Sequence, residues 1–249
     1  MEKILVFHTY DELIQAAADQ FISTASDAIE DQGCFSIVLS GGSTPLPLYK
    51  YLADHRGDDL SWDKIHFFWG DERPVPPDHL ESNFNQANLS LLKPRSIPAE
   101  NIHRIQAELS PPEAAQRYQE EILSYFQNNP PRFDLILLGM GSDGHTASLF
   151  PGTELVSGEI SDQKHLVAAN WVPKLDTWRI TFTPHLINSA VGIIFLVSGS
   201  SKAKPLQRVL NGAYQPEVLP SQLIDPDQGN LFWYVDREAA AELSDLSLE

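Results

Sequence analysis

The chain has little with which to build disulfides, membrane spans or a nucleic-acid surface. Cys34 is the single cysteine among 249 residues, so no internal disulfide can form, and a reducing cytoplasm is the expected location. No stretch approaches the ~20 consecutive apolar residues of a membrane span. Met1–Phe7 has no basic region leading into a long apolar run, so neither a signal peptide nor membrane association is expected. Basic residues are scarce: 17 Lys and Arg stand against 34 Asp and Glu, a formal net charge of −17. Nucleic-acid partners need a basic surface and are therefore not expected. Internal repeats, low-complexity tracts and interdomain linkers are absent as well. No G-x-S-x-G elbow follows a strand, as a serine hydrolase would need, and no Walker loop or G-x-G-x-x-G dinucleotide turn occurs.

What is present is core material. Hydrophobic residues make up 42% of the chain, too many for a disordered protein, and the length suits one large domain. Apolar runs bounded by turn residues read as buried strands at Phe35–Leu39, Ile65–Trp69 and Phe133–Leu138. Later strands are expected at Leu166–Asn170, Arg179–Thr183, Val191–Val197 and Leu231–Val235. Leu13, Ile14, Ala17, Ala18, Phe21, Ile22, Ala25, Ala28 and Ile29 trace one helical face. Ser110-Pro111-Pro112-Glu113 has the spacing of a capping box and introduces a helix through about Phe126. Strands alternating with helices imply an α/β fold. The expected architecture is a mostly parallel, Rossmann-like sheet flanked by helices on both faces, within a single domain over residues 1–249. The proline-rich patches Pro74–Pro77 and Pro216–Pro220 read as fixed loops of that domain, and Phe67, Phe68 and Trp69 as core.

Three turns follow three of these strands. Gly139-Met140-Gly141-Ser142-Asp143-Gly144-His145 sets one Asp and one His in a glycine frame, where backbone can approach a ligand closely. Histidine titrates nearest neutral pH and serves as a base in water; the same turn also reads as a plain strand-to-helix connection whose His caps a carbonyl. Ser40-Gly41-Gly42-Ser43-Thr44-Pro45 opens onto a helix, with Thr44 a good N-cap and Pro45 suited to the first helical position. Free N–H groups at such a helix start attract anions, a small phosphate ester above all. Gly70-Asp71-Glu72-Arg73 follows the third strand, and Arg73 either clamps an anion or pairs with Asp71 or Glu72. Because ligands of open parallel sheets bind beyond the carboxyl ends of strands, the three turns are expected on one rim.

Taken together, these segments resemble the 6-phosphogluconolactonase family, within the superfamily shared with the glucosamine-6-phosphate isomerases. The resemblance rests on Leu39–Pro45, on Gly70–Pro76 with Ser82-Asn83, on Gly139–Gly152, on Arg179-Ile180-Thr181 and on Gly199-Ser200-Ser201-Lys202-Ala203, in order over nearly the whole chain. It implies hydrolysis of 6-phospho-D-glucono-1,5-lactone to 6-phospho-D-gluconate in the oxidative pentose phosphate pathway, with no metal or cofactor. His145 would be the base that activates water. Asp143 would either orient the imidazole or brace the turn. Phosphate binding would fall to Gly41, Gly42, Ser43, Thr44, Arg73, Arg179 and Lys202. Ser82 and Asn83 either bond sugar hydroxyls or cap the helix beginning there. A substrate that is itself anionic demands a cationic pocket on an acidic protein, which screening beyond about 8–10 Å permits.

The remaining histidines, His8, His55, His66, His79, His103, His165 and His185, show no metal-ligand spacing. His66 reads as a hydrogen-bonded core residue and His79 as a possible pocket neighbour. Two alternatives stand beside the lactonase. A glucosamine-6-phosphate isomerase/deaminase would typically carry Asn-Glu-Pro where this chain has Ser148–Gly152. A sugar-phosphate-sensing regulator would carry a DNA-binding extension. The oligomeric state is not legible.

Overall fold

Successive strand residues face opposite sides of a sheet, so a strand buried at every position must be covered on both. The computed structural model describes residues 2–57, 59–158, 165–226 and 228–243; the ends of the expected domain, residue 1 and residues 244–249, lie outside these. In chain order the elements are β1 (Glu2–Phe7), α1 (Tyr10–Gln32), β2 (Phe35–Leu39), α2 (Pro45–His55), β3 (Ile65–Trp69), β4 (Asp71–Glu72), α3 (Asn83–Ala87), α4 (Pro111–Tyr125) and β5 (Leu135–Gly139). They continue with α5 (Glu154–Ser157), β6 (Val167–Val172), β7 (Thr177–Phe182), α6 (Pro184–Asn188), β8 (Gly192–Val197), α7 (Ala203–Asn211) and β9 (Asn230–Asp236).

Six strands pair in parallel in the order β1-β9-β8-β5-β2-β3. β2 and β8 are buried along their whole length, so the sheet is covered on both faces as expected. Phe67, Phe68 and Trp69 are fully buried in β3. β1 was not anticipated, although it contains the apolar run Ile4–Phe7; it is an edge strand whose residues are exposed or half-buried. β5 starts at Leu135 rather than Phe133 and runs through Gly139.

A second, three-stranded sheet in the order β4-β7-β6 departs from the single sheet expected, and its pairs are antiparallel. The short turn Pro173–Leu175, followed by Asp176 at φ 49°, joins β6 to β7. Such a connection is too brief for the crossover a parallel pair needs, so a hairpin results. Trp171 and Trp178 stand opposite each other across it, with ring centroids 5.5 Å apart.

Helix ends follow local rules with two exceptions. Thr9 accepts from the Glu12 N–H at the start of α1, and Gly33 closes it in the left-handed region. Pro45 takes the first position of α2, but Thr44 has helical backbone and its side chain caps nothing. Ser110 likewise makes no side-chain cap: Pro111 and Pro112 lack two of the N–H groups that a helix start leaves unpaired.

The topology fixes where a ligand can sit. From β2 the chain passes to β3 on one side, whereas β5, the other neighbour of β2, leads toward β8 and β9. Side connections diverge there, leaving a crevice beyond the carboxyl ends of β2 and β5.

Phe182, at the end of β7, joins the small sheet to the body by stacking on Tyr118 of α4 and on Phe133, with centroids 5.9 and 5.5 Å away. Phe182→Ala is expected to cost about 3–5 kcal/mol, read as a lowered midpoint in urea unfolding. A midpoint within error of the parent would mean that this contact does not hold the two sheets together.

Candidate active site

The turns after β2 and β5 lie side by side because those strands pair. In the first, Gly42 adopts φ 97°, and the N–H groups of Gly42, Ser43 and Thr44 meet no acceptor among the described residues. The turn is braced from two helices. The Tyr49 hydroxyl donates to the Ser40 carbonyl at 2.7 Å and accepts from its N–H at 3.0 Å. Tyr10 donates to the Thr44 carbonyl at 2.7 Å. Burial pushes the Tyr10 phenol up to about 12 and Tyr49 higher still, so both stay protonated donors. Gly41 is required by packing: a Cβ there would lie 1.7 Å from Asn83 Oδ1.

The second layer comes from β4. The buried Glu72 carboxylate accepts from the N–H groups of Arg73, Asn83 and Phe84 at 2.8–2.9 Å and from the Ser82 hydroxyl at 2.9 Å. Burial raises its pKa, and those four donors oppose the rise. Ser82 is also the N-cap of α3, accepting from the Asn85 N–H, so capping accounts for it. Asn83 donates to the Asp71 carboxylate and carbonyl at 3.0 and 2.9 Å, while its own Oδ1 is buried without a partner among the described residues. Asp71 takes the Ser148 hydroxyl at 2.6 Å on its other oxygen.

After β5 the chain forms no helix until α5; the strand-to-helix turn of the sequence reading is a loop folded on itself. Gly141 donates to the His145 carbonyl at 2.8 Å and Gly144 to the Gly141 carbonyl at 3.0 Å. His145 Nδ1 meets Asp143 Oδ1 at 2.5 Å, and the imidazole stacks on Phe150 with centroids 4.1 Å apart. The Asp143 carboxylate also takes the His145 N–H, more weakly, at 3.4 Å. A Cβ on Gly141 would come within 2.1 Å of His145 Nδ1, so glycine lets the ring lie against the turn. Lys174 Nζ donates to the other Asp143 oxygen at 2.9 Å. The imidazole contact first, and then Lys174, hold the Asp143 carboxyl well below the usual carboxylate range against the opposing effect of burial. Ser148 pins the loop to the small sheet, donating from its N–H to Thr181 at 3.2 Å and accepting from Asn170 at 2.8 Å.

A hollow of about 200 Å³ is lined by Gly41–Thr44, Asp71, Arg73, Asn83, Gly139–Gly141, His145 and Lys202. An adjoining hollow of about 320 Å³ shares Asp71, Arg73 and His145 with it and adds Asp143, Lys174, Arg179 and Phe150. Among the described residues, four cations and two carboxylates thus line the joint space. The three cations expected around one phosphate are divided: Lys202 in one hollow, Arg179 in the other, Arg73 in both. The Arg73 guanidinium pairs with neither Asp71 nor Glu72; it donates to the Glu81 carbonyl. Arg179 donates to the Trp178 carbonyl at 2.9 Å, and burial with the like charge of Arg73 lowers its pKa against the pull of nearby carboxylates. Burial also lowers Lys202, which Asp143 opposes. Lys202 ends a short turn ahead of α7, so Pro205 falls in the first turn of that helix, where its missing N–H costs nothing.

His66 has the hydrogen-bonded setting expected of it, facing His103 at 3.1 Å. His79 lines neither hollow; its Nδ1 accepts from the Glu81 N–H. Among the described residues, no three His, Cys, Asp or Glu side chains group closely enough to hold a metal ion, and no helix is long and apolar enough to cross a membrane. Sequence reasoning missed Lys174 and Asn170, and took Asp71 and Glu72 only as partners of Arg73. The signal for Asn170 was a lone amide within the otherwise apolar run Val167–Val172.

Residues 8–233 match the family described as glucosamine-6-phosphate isomerases/6-phosphogluconolactonase. A 6-phosphogluconolactonase of Nostoc sp. is 43% identical over 236 residues, which span 93% of this chain and 94% of that protein. One of Synechocystis sp. is 42% identical over 235 residues, 93% and 94% of the two chains. The solved 6-phosphogluconolactonase of Trypanosoma brucei matches with a TM-score of 0.86 at 29% identity, covering 98% of this chain and 99% of that one. That of Thermotoga maritima gives 0.79 at 30% identity, covering 94% and 100%.

The 1.7 Å approach of Asn83 to a Cβ at position 41 predicts strong coupling between the two sites. Gly41→Ala is expected to lower stability by about 1–3 kcal/mol, and by clearly less when Asn83→Ala is already present. Denaturant unfolding of the double-mutant cycle checks this; additive costs would show that the two residues do not press on each other.

Proposed function

The chain belongs to the glucosamine-6-phosphate isomerase/6-phosphogluconolactonase family, and from that premise we propose how its site opens a lactone. The activity is that of a 6-phosphogluconolactonase: 6-phospho-D-glucono-1,5-lactone is hydrolysed to 6-phospho-D-gluconate in the pentose phosphate pathway. The isomerase and sensor alternatives give way because relatives matching more than nine-tenths of the chain are lactonases. In this proposal residues 1–249 act as one catalytic domain, supported by a family match from residue 8 to residue 233.

The observation that carries the mechanism is the single imidazole in the joint hollow, tied through Nδ1 to Asp143 and stacked on Phe150. With Nδ1 engaged, Nε2 is the nitrogen left to take a proton from water. The water oxygen bonds to C1 of the lactone, and its proton passes to His145. The tetrahedral oxyanion collapses with cleavage of the bond from C1 to the ring oxygen. The imidazolium then returns the proton to that oxygen, which becomes a hydroxyl. Asp143 orients the ring and stabilises the imidazolium, a role that the short contact to the ring supports over bracing of the turn. No metal or cofactor is invoked in any of these steps.

The unpaired N–H groups of Gly42, Ser43 and Thr44 offer donors to an anion. The Gly141 N–H is already committed to the His145 carbonyl and is not among them. Arg73 and Lys202 stand in the same hollow as these amides, and Arg179 reaches the space from the far side. Together they supply local positive charge toward a sugar phosphate. Asn83 also lines this hollow, its amide nitrogen held by Asp71 and its carbonyl oxygen packed against Gly41, so it positions the glycine turn.

Hydrolysis of freshly generated lactone, followed with a chelator present against the spontaneous rate, tests the assignment. His145→Ala is expected to reduce kcat about 10²–10⁴-fold while leaving affinity for inorganic phosphate largely intact. Full activity in that variant would remove His145 as the base. Arg73→Ala and Arg179→Ala are expected to raise KM; an unchanged KM in both would take them out of the phosphate site.

A further inference from the structure

The tip of the β6–β7 hairpin reaches over the catalytic loop and ends in a cation. Lys174 Nζ holds Asp143 Oδ2 at 2.9 Å, while Oδ1 of the same carboxylate holds the His145 ring. The two oxygens of one carboxylate are therefore shared between a permanent cation and an imidazole that must gain and lose a proton. The lysine side chain is 68% exposed and the Asp143 side chain only 23%. Both residues line the adjoining hollow, with the lysine on its exposed side.

We propose that Lys174 is a positioning residue of the lactonase site: its bond to Asp143 fixes the carboxylate and offsets part of the negative charge that the His145 imidazole feels. The proposal rests on the reading of His145 as the base. A carboxylate beside an imidazole favours the protonated ring, which cannot accept a proton from water. A cation on the far oxygen opposes that effect, and at the same time it prevents the carboxylate from rotating away from Nδ1. The depressed titration of Asp143, to which Lys174 contributes, agrees with this geometry.

Other charges around the imidazole come from several elements: Asp71 and Arg73 at β4, Arg179 on β7, and Lys202 ahead of α7. None of these cations bonds Asp143 directly; among the described residues Lys174 is the cation that does. Removing it leaves those other charges in place, so the change measured belongs to the Asp143 pair. The sign follows from electrostatics: without Lys174 the protonated imidazole loses a nearby repulsion, retains its proton to higher pH, and is inactive over a wider acid range.

The test is the pH dependence of kcat/KM for lactone hydrolysis by the parent, Lys174→Met, Lys174→Arg and His145→Ala, corrected for the spontaneous reaction. Lys174→Met is expected to move the acid limb up by about 0.5 pH unit, from one unit charge several ångströms from the ring. Its rate is regained at higher pH, and the shift shrinks at high salt because the pair is exposed. Lys174→Arg keeps the cation and is expected to follow the parent profile. A Lys174→Met acid limb that does not move, with His145→Ala inactive, would overturn the role of Lys174 and leave the base intact. So would a loss equal at every pH and seen only in KM, which would mark Lys174 as a substrate contact. Activity persisting in His145→Ala would instead overturn the underlying reading of His145. Parent-like circular dichroism and thermal midpoint are expected of Lys174→Met, an exposed position at a hairpin tip.

Discussion

The parallel pairing of β2 with β5 is the contact on which the site depends. It sets two glycine turns next to each other at the one place in the sheet where the chain's crossovers diverge. Each turn then does a different task. The turn after β2 presents unpaired N–H groups at the start of α2, and the turn after β5 presents an imidazole. Both depend on the absence of side chains at particular points. Asn83 lies where a Cβ of residue 41 would be, and the His145 ring lies where a Cβ of residue 141 would be. Close approach of a neighbour, more than loop mobility, is the reason for glycine at these two positions.

The small antiparallel sheet completes the space that the parallel sheet opens. Through Thr181, Asn170 and Asp71 it binds Ser148 from three sides and so anchors the downstream part of the loop that carries His145. Its hairpin brings Arg179 and Lys174 to the rim. Glu72 fastens the start of α3 to β4 by accepting the backbone N–H groups of Asn83 and Phe84, which fixes Asn83 against the glycine turn. Polar groups this deeply buried are stable only when their bonds are nearly all made. Among the described residues, the carbonyl oxygens of Asn83 and Asn170 are buried without a partner, that of Asn83 against Gly41.

Charge works on two scales. Over the whole chain the balance is −17, which repels a sugar phosphate at long range. Among the described residues of the joint hollow four cations outnumber two carboxylates, and at physiological salt fields beyond about 8 Å are screened. An acidic exterior and a locally cationic hollow are therefore compatible. Dividing the cations between two adjoining hollows spreads the positive charge, where a single cluster would have concentrated it.

Much of this was legible in the linear chain, for local reasons. β2 and β3 stood out because every residue in them is apolar or nearly so, and a run buried on both faces leaves no other pattern. The glycine turns, His145, Asp143 and Arg73 were legible because small and chemical residues directly follow such runs. β1, β4 and the hairpin were not. β1 lies at an edge with half-exposed residues, β4 has only two residues, and the antiparallel pairing of β6 with β7 follows from a turn whose geometry composition does not specify. The amino-acid sequence by itself determined a parallel α/β core and a rim of glycine, histidine and arginine, because buried strands and the turns after them obey short-range rules. Tertiary structure alone decided that Lys174 reaches Asp143 across 31 positions of chain, that Asn83 fills the space beside Gly41, and that Arg179 and Lys202 face different hollows. Those distances arise from how two sheets pack, and no local pattern encodes them.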